Sequence, residues 1–454
     1  GVIWPMSILT DAITQWANRQ PACRLLHDYY RGNHQLRFAS RDYLTKQTQK
    51  LLTDTVMSLR ENLCPAAVTA FTDGIAIQQW TTTDDGLDND GAAKLHGLSR
   101  LEGFIDRAGF IYGDAYAIVW PGRDGTPAPV FCDPTTMAAR PDQDDPSQLA
   151  WAARIWTDDG YGRVNLYLPD RLERWITKHQ IGGDMPTTDD AWTGCTDDDG
   201  DTITHPFGVV PVCWWKRDPD DHMSHGHSIL TDVIPLQDAL NKTLADLIIT
   251  TETYARPFYA LLNHDVEETM HNPYAPTPTR PASSQGINFD KQQIWATNGP
   301  GPLLRFDPPD LTPLLKVQDA FAAKIARVVG IPYHYLSQTS GDVPSGEALR
   351  ILSTRRTATI RAWQRDAEPV WNGLLQLLGV EPGIQWAEPM PLDPLEQLQV
   401  AQAKQQLGYA LVDIVHSLDE HDPEGVVQRA SDAAAQSAAA AGRALMNGTL
   451  NYDS

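Results

Sequence analysis

The chain has 454 residues, of which 42% are hydrophobic, and this length and composition allow roughly two to four domains with hydrophobic cores. Its formal net charge of −22 at pH 7 argues against a protein that grips nucleic acid through a basic surface. The charge does not exclude a protein that lets DNA pass, because an acidic wall repels phosphate. The five cysteines form no C-x-x-C pair and indicate free thiols. No apolar run approaches the ~20 residues of a membrane span, and the N-terminus lacks a secretory signal pattern, so the sequence predicts synthesis in the cytosol and no membrane contact.

The first half of the chain shows helical periodicity followed by short β-type runs. Apolar side chains at helical spacing predict helices at residues 8–16, 51–71 and 95–110. Short apolar and aromatic runs between Gly, Pro and Asp turns predict strands at residues 115–120, 129–132, 149–156, 162–168 and 209–215. A mixed region of helices and strands is therefore expected up to about residue 227.

The second half is predicted to place two helices around a small module. The first helix covers residues 230–254, with leucines on one face, and it ends before Pro257. Residues 258–309 contain many prolines and few long apolar runs, which indicates a small inserted module. The second helix covers residues 312–329, with Pro313 in its first turn.

A loop and a long helix follow. The loop, residues 330–344, has fifteen residues and is longer than most connections between helices. Ser345 is a suitable N-cap for a helix that runs to Leu378 and spans about 50 Å. A strand is predicted at residues 384–392, and residues 394–446 are predicted to be helical and Ala-rich. The fold class expected from this order is α+β.

The sequence contains no pattern typical of an enzyme or a metal site. It has no phosphate-binding loop, and Leu230 stands where a nucleophile elbow needs glycine. The acidic runs 84–90 and 197–201 do not fit a calcium loop. His222, His225 and His227 could hold a metal, but a solvated polar turn is the more common explanation for such a cluster. We therefore expect no catalytic residue, no cofactor and no metal.

Basic residues concentrate in one segment. Residues 310–379 hold eight basic and six acidic residues, a net charge of +2, so the remainder of the chain carries −24. In the helix 312–329, Leu314, Val317, Phe321, Ile325 and Val328 form an apolar stripe. Lys316 and Arg327 lie on a separate stripe, with Lys324 beside it. That stripe is either an ordinary solvated face or a surface that meets phosphate.

Several short motifs, in their order and spacing over residues 20–380, resemble one family. They are Tyr29-Tyr30-Arg31-Gly32-Asn33-His34, Glu61-Asn62-Leu63-Cys64-Pro65, Tyr112-Gly113-Asp114-Ala115-Tyr116, Leu236-Gln237-Asp238-Ala239-Leu240-Asn241-Lys242, Ile331-Pro332, Ser345-Gly346-Glu347-Ala348-Leu349-Arg350 and Trp363-Gln364-Arg365 followed by Trp371. Together they resemble the portal proteins of tailed bacteriophages, the ring-shaped connectors between head and tail. The last ~75 residues carry no such motif and are placed by position alone.

The resemblance implies a portal-like subunit with a mixed α/β wing, a two-helix stem, a small β-containing clip, a long wing helix and an α-helical crown. Residues 1–230 would form the N-terminal part of the wing. The stem helices would be 231–257 and 310–329, on either side of a clip at 258–309. The tunnel loop would be 330–344. The remaining parts would be the long helix and strand of the wing at 345–392 and the crown with the C-terminal tail at 393–454.

The resemblance also implies functional residues. In the tunnel loop, DNA would be contacted by Tyr333, His334, Tyr335, Gln338, Ser340 and Asp342. In the stem, Lys316, Lys324 and Arg327 would line the channel. On the long helix, the residues expected at a subunit interface are Arg350, Arg361, Arg365, Trp363 and Trp371.

The function implied is structural. A ring, dodecameric in most of the family, would sit at one capsid vertex of the virion after assembly in the host bacterial cytoplasm. Double-stranded DNA would pass through it during packaging and ejection. The expected partners are further copies of the chain, the terminase large subunit, a head-completion adaptor, and the major capsid and scaffolding proteins. The alternatives are a nucleic-acid-processing enzyme or motor component, or another capsid or tail structural protein.

Overall fold

A computed structural model describes most of the chain. The described residues are 7–34, 61–80, 89–122, 125–195, 200–220, 224–254, 258–262, 287–289, 292–297, 303–306, 310–336, 346–390, 394–416 and 425–432. The chain divides into two compact units, Gly1–Pro389 and Met390–Ser454. Its architecture is a mixture of helices and strands, as the sequence predicted.

Three helices open the larger unit: α1 (Ile8–Arg31), α2 (Cys64–Thr72) and α3 (Asn89–Tyr112). Ser7 caps α1, because its side chain accepts a hydrogen bond from the backbone N–H of Thr10. Gly32 ends α1 in the left-handed conformation, with φ 73°. The predicted helix at 8–16 is therefore longer than expected, and the predicted helix at 51–71 lies partly outside the described residues.

Two antiparallel sheets follow. Strands β2 (Asp114–Pro121), β3 (Pro127–Cys132) and β10 (Val212–Lys216) form a sheet of order β10-β2-β3. The second sheet has the order β4-β5-β6-β7-β8, with β9 also paired to β7. Its strands are β4 (Met137–Pro141), β5 (Leu149–Asp158), β6 (Tyr161–Tyr167), β7 (Arg171–Thr177), β8 (Trp192–Gly194) and β9 (Thr202–Thr204). The five predicted strands are all present. Within these two sheets the prediction missed β4, β7, β8 and β9, and it also missed the strand Ile77–Trp80.

The predicted pair of helices is also present. Helix α4 (Leu230–Tyr254) packs against α5 (Thr312–Val329). Between them in sequence, β11 (Phe258–Leu262), β12 (Ile287–Phe289), β13 (Gln292–Thr297) and β14 (Leu303–Phe306) form a sheet of order β12-β13-β11-β14. The segment 258–309 therefore contains a small sheet, in which β11 pairs with β13 in parallel.

The long helix α6 (Gly346–Leu377) packs against β10 and carries core residues along its second half. Strand β15 (Ile384–Trp386) pairs with β1 (Ile77–Trp80). Side chains from each of the helices α1, α2, α3, α4, α5 and α6, and from strands β2 and β10, form the main hydrophobic core. These helices therefore share one interior. In the smaller unit the described helices are α7 (Pro394–Gln406), α8 (Leu411–His416) and 425–432. None of the helices in the described part of the chain is long and apolar enough to cross a membrane.

Two carboxyl groups lie one turn apart on α3 inside this core. Glu102 is 7% exposed and accepts a hydrogen bond of 2.6 Å from the backbone N–H of Ile77. Asp106 is 2% exposed and accepts one of 2.7 Å from Trp363 Nε1. Burial raises the pKa of Glu102 to about 7 and holds the pKa of Asp106 well above the usual range for a carboxyl group.

Substituting Glu102 by Gln should remove part of the pH dependence of stability. The pKa of Glu102 in the folded protein lies above the usual 4.5 of a free glutamate, so the ionised carboxylate is disfavoured in the fold. The wild-type protein should therefore gain stability as pH falls from about 7 to about 4.5, by up to ~3 kcal/mol from this group. Glu102→Gln should lose that gain and be more stable than the wild type at pH 8. Denaturant titrations of both proteins at pH 4.5, 6 and 8 measure the free energy of unfolding. If its dependence on pH is the same in Glu102→Gln and in the wild type, the pKa of Glu102 is not raised in the fold.

Candidate functional site

The buried face of α5 lies on Ala322, Ile325, Ala326 and Val329, which follow the spacing of one helical face. This corrects the predicted apolar stripe. Of that stripe only Ile325 is fully buried, while Val317 and Val328 are 43% and 39% exposed. The structure therefore turns part of the predicted apolar stripe outward, where it is available to a partner.

The three predicted stem cations are all exposed. Lys316 and Arg327 are eleven residues apart, close to three helical turns, so they share one face of α5. Lys324 lies on the neighbouring face, with Nζ 4.7 Å from the centroid of the Phe321 ring. The arrangement places two cations in line along the helix and one beside an apolar strip.

The chain after α5 is ordered by its contacts with the core. Gly330 ends α5 in the left-handed conformation, and Ile331 is buried. A short 3-10 helix, Tyr333–Tyr335, follows. Tyr333 and Leu336 pack partly against the main core, whereas His334 is exposed and Tyr335 is 41% exposed. We call residues 330–336 the tunnel segment.

The rest of the predicted tunnel loop lies outside the described residues. This includes Gln338, Ser340 and Asp342. Of the predicted DNA contacts in the loop, the structure therefore places three: Tyr333 against the core, and His334 and Tyr335 toward solvent.

Three motifs that are distant in sequence meet in one buried polar cluster. The hydroxyl of Tyr29 donates a 2.6 Å hydrogen bond to Asp238 Oδ1. Gln237, which is fully buried, donates from Nε2 to the carbonyl of Glu61 at 2.7 Å and accepts from the N–H of Leu63 at 2.9 Å. The cluster ties the end of α1 and the start of α2 to α4.

A second cluster is built on the buried carboxylate of Asp114. Oδ1 accepts hydrogen bonds from Trp214 Nε1 at 3.1 Å and from the N–H of Gly226 at 3.0 Å. Oδ2 lies 3.1 Å from Arg19 Nη2 and 3.0 Å from His225 Nδ1. One side chain therefore fixes α1, β10 and the turn that leads into α4.

That turn approaches the start of β2 so closely that neither side tolerates a side chain. A Cβ on Gly226 would lie 2.1 Å from the carbonyl oxygen of Gly113, and one on Gly113 would lie 2.2 Å from that of Gly226. Gly113 also has φ +83°, which disfavours other residues. Ser228 then begins α4 by accepting from the N–H of Leu230 at 3.1 Å. The orientation of α4 is thus set by contacts with residues 113 and 114.

The middle of the chain matches the model of a known family. Residues 105–298 match the model of a family described as phage portal protein, SPP1 Gp6-like. The matched residues include Asp114, Trp214 and His225 of the second cluster but not Arg19, and they also include the whole of α4 and the first strands of the sheet that follows it. The resemblance to portal proteins that the sequence predicted is confirmed.

Chains in two solved particle structures are similar to this chain over most of its length. A chain from "Virion of native gene transfer agent (GTA) particle" has 15% identity and a TM-score of 0.41, and the alignment covers 80% of this chain and 89% of that chain. A chain from "Neck of native GTA particle computed with C12 symmetry" has 14% identity and a TM-score of 0.42, with coverage of 81% and 91%. No curated protein matches the chain.

The two tryptophans predicted at a portal subunit interface lie instead inside the subunit. Trp363 and Trp371 are 1% and 0% exposed. The ring of Trp363 lies edge-on to Phe110 at 5.8 Å, and Trp371 contacts Trp215 at 4.8 Å between ring centroids. A side chain with no exposed surface in the subunit cannot contact another copy, so the interface prediction is wrong for both.

The predicted interface arginines are only partly consistent with that role. Arg361 is exposed and pairs with Glu388 of the same subunit at 2.9 Å. Arg365 is 76% exposed, and its Nε lies 3.7 Å from Asp366. Arg350 is half-buried. Arg361 thus has an ion-pair partner within its own subunit, and an interface role for the three arginines remains a prediction.

The structure describes two of the three clustered histidines, His225 and His227. His225 is committed to Asp114, and His222 lies outside the described residues. Among the residues that the structure places, no group of three or more His, Cys, Asp or Glu side chains could hold a metal ion. The acidic runs considered as calcium loops fall largely outside those residues.

Proposed function

We propose that this chain is the portal subunit of a tailed phage or phage-like particle. The observation that carries the proposal is the portal family match over residues 105–298. The pairing of α4 with α5, and the small sheet between them in sequence, support assigning these elements to the stem and the clip. The long helix α6 and strand β15 belong to the wing in this proposal, and residues 393–454 to the crown.

The subunits assemble into a closed, dodecameric ring at one capsid vertex. Exposed apolar side chains on α5 and at the start of α6 support this step, because they gain from burial against a neighbouring copy. Val317 is 43% exposed, and Ile351 and Leu352 are 69% and 54% exposed. A heterologous interface repeated by rotation closes into a ring.

Double-stranded DNA passes through this ring during packaging and ejection. Lys316 and Arg327 share one exposed face of α5, where cations repeated around a ring can meet phosphate. The net charge of −22 keeps most of the remaining surface repulsive to DNA. Weak, repeated contacts suit a polymer that must slide.

The partners are those of a portal vertex. The clip receives the terminase large subunit during packaging and the head-completion adaptor afterwards. The wing and crown meet the major capsid and scaffolding proteins. The subunit itself hydrolyses no ATP in this proposal, and the motor supplies the energy.

Native mass spectrometry of the purified chain tests the proposal. Closed rings of one dominant size are expected at micromolar concentration and moderate salt. Negative-stain images should show a central channel. Monomers alone, both in the purified protein and after co-expression with a scaffolding protein, contradict the ring, and sheets or open filaments favour another capsid or tail structural protein.

Deleting residues 337–341 tests the role of the tunnel loop. The deletion begins after Leu336, because Leu336 packs against the core and its loss would disturb folding. Shortening the loop should change closure entropy by well under ~1 kcal/mol, so rings should still form. Packaging or retention of DNA should fail, as measured by nuclease-protected DNA per particle. A variant that packages a full genome at the wild-type level contradicts a functional tunnel loop.

A further inference from the structure

Arg356 of α6 is a buried arginine whose hydrogen-bond partners are backbone carbonyls. It is 6% exposed. Its Nε donates to the carbonyl of Ala70 near the end of α2, and its Nη1 lies 3.5 Å from the carbonyl of Pro389. Gly74 leaves room for the guanidinium, since a Cβ there would lie 2.3 Å from Nη2. Among the described residues, no carboxylate forms a salt bridge with it.

A buried cation without a carboxylate needs other compensation. The carbonyls at the end of a helix carry a partial negative charge, which supplies part of it. The ring of Tyr335 supplies another part, because Arg356 Cζ lies 5.6 Å from its centroid. Tyr335 belongs to the 3-10 helix of the tunnel segment, so the position of this segment is linked to a cation held in the core.

The preceding residue of α6 holds the other end of the tunnel segment. Arg355 donates from Nη1 to the carbonyl of Arg327 at 3.2 Å, and its Nη2 lies 3.5 Å from that of Val328. These carbonyls belong to the last turn of α5 and lack partners within the helix. The aliphatic part of Arg355 crosses Gly330, where a Cβ would lie 2.7 Å from Arg355 Cδ.

We propose that Arg355 and Arg356 are positioning residues that fix the tunnel segment to α6. Arg355 caps the end of α5, and Arg356 holds the ring of Tyr335. Because the two arginines are consecutive on one helix, both ends of the segment follow the position of α6. The consequence for DNA translocation rests on the proposed function: α6 sets where His334 and the segment stand in the channel.

Hydrogen–deuterium exchange of the full chain tests this without DNA or a partner. The amides of Ile331, Tyr335 and Leu336 donate to backbone carbonyls and report on the segment directly. Tyr335→Leu should accelerate their exchange by about twofold to thirtyfold, the range that cation–π contacts cover between exposed and desolvated sites. Tyr335→Phe keeps the ring and should leave their exchange unchanged.

Variants of Arg356 complete a double-mutant cycle. Arg356→Gln should accelerate exchange of the same amides as much as Tyr335→Leu, and the double variant should add little to either. Glu368→Gln, at an exposed position of the same helix, is the control and should have no effect. If Arg356→Gln unfolds α2, the comparison of Tyr335→Leu with Tyr335→Phe still shows whether the ring of Tyr335 holds the segment, since both variants keep Arg356.

Two outcomes overturn the inference. Exchange that is equal in Tyr335→Leu and the wild type shows that the ring does not hold the segment. Additive effects of Tyr335→Leu and Arg356→Gln show that the two side chains act separately. If Tyr335→Leu accelerates exchange but still forms rings and packages DNA normally, the positioning role is supported. Its consequence for DNA translocation is then contradicted. Accelerated exchange in a protein that forms no rings contradicts the proposed function alone.

Discussion

Asp114→Ala is expected to lower the free energy of unfolding by about 3–5 kcal/mol, because it leaves the largely buried guanidinium of Arg19 without its carboxylate. The Asp114 side chain is 3% exposed and that of Arg19 is 20% exposed, so solvent replaces little of the lost contact. The substitution also leaves Trp214 Nε1 and the N–H of Gly226 without their acceptor. Denaturant unfolding monitored by tryptophan fluorescence measures the effect.

Asp114→Asn provides a graded comparison. The amide oxygen can still accept from Trp214 and Gly226, but the amide nitrogen would face the donors Arg19 and His225. The loss should therefore be smaller than for Asp114→Ala. Asp170→Ala is the matched control. It removes an ion pair between Asp170, whose side chain is 70% exposed, and Arg171, so it should lower the free energy of unfolding by less than ~1 kcal/mol. Equal costs for Asp114→Ala and Asp170→Ala would show that the cluster does not stabilise the fold.

Periodicity predicted the secondary structure well where one pattern dominates. The predicted helix at 230–254 agrees with Leu230–Tyr254, and that at 312–329 agrees with Thr312–Val329. Their ends carry local signals, such as Pro313 in the first turn and Gly330 in the left-handed conformation. Strand β7 was missed because Arg171, Glu173 and Arg174 interrupt its apolar pattern, although pairing with β6 supplies the missing stability.

The polar clusters could not be predicted from spacing. Asp114 meets Arg19 and His225, which are 95 and 111 residues away in sequence. The motif 112–116 marked Asp114 as a residue of interest, but only the packing of α1 and the turn before α4 shows what it binds. Contacts of this kind follow from tertiary structure, which a single sequence does not contain.

Which face of a helix is buried also depends on its neighbours. The sequence could not show that α5 packs on α4 or that it buries Ala322 and Ala326, because small residues carry little hydrophobic signal. The larger Val317 and Val328 remain exposed. In the sequence, Arg355 and Arg356 are two of the eight basic residues in 310–379, and only the structure places them against Gly330 and Gly74.

Trp363→Ala distinguishes the subunit core from the subunit interface by its effect on unfolding. In the structure, the indole is 1% exposed and packs beside Gly109, where a Cβ would lie 2.4 Å from the ring. Removing it should create a cavity that costs about 3–5 kcal/mol in unfolding free energy. It should also leave the buried carboxyl of Asp106 without the donor at 2.7 Å. Trp363→Phe should cost less, because it keeps most of the volume and loses the hydrogen bond.

The dependence on protein concentration decides between the two locations. If Trp363 is a core residue, its removal destabilises each subunit. The unfolding midpoint of Trp363→Ala should then fall by the same amount at every protein concentration. An interface residue would instead weaken assembly and leave the unfolding of the isolated subunit unchanged. Arg361→Ala is the control. The side chains of Arg361 and Glu388 are 61% and 70% exposed, so their ion pair should contribute little to the stability of the subunit. If Trp363→Ala dissociates the oligomer without lowering the midpoint of the subunit, the interface prediction is right and the core described above is wrong at this position.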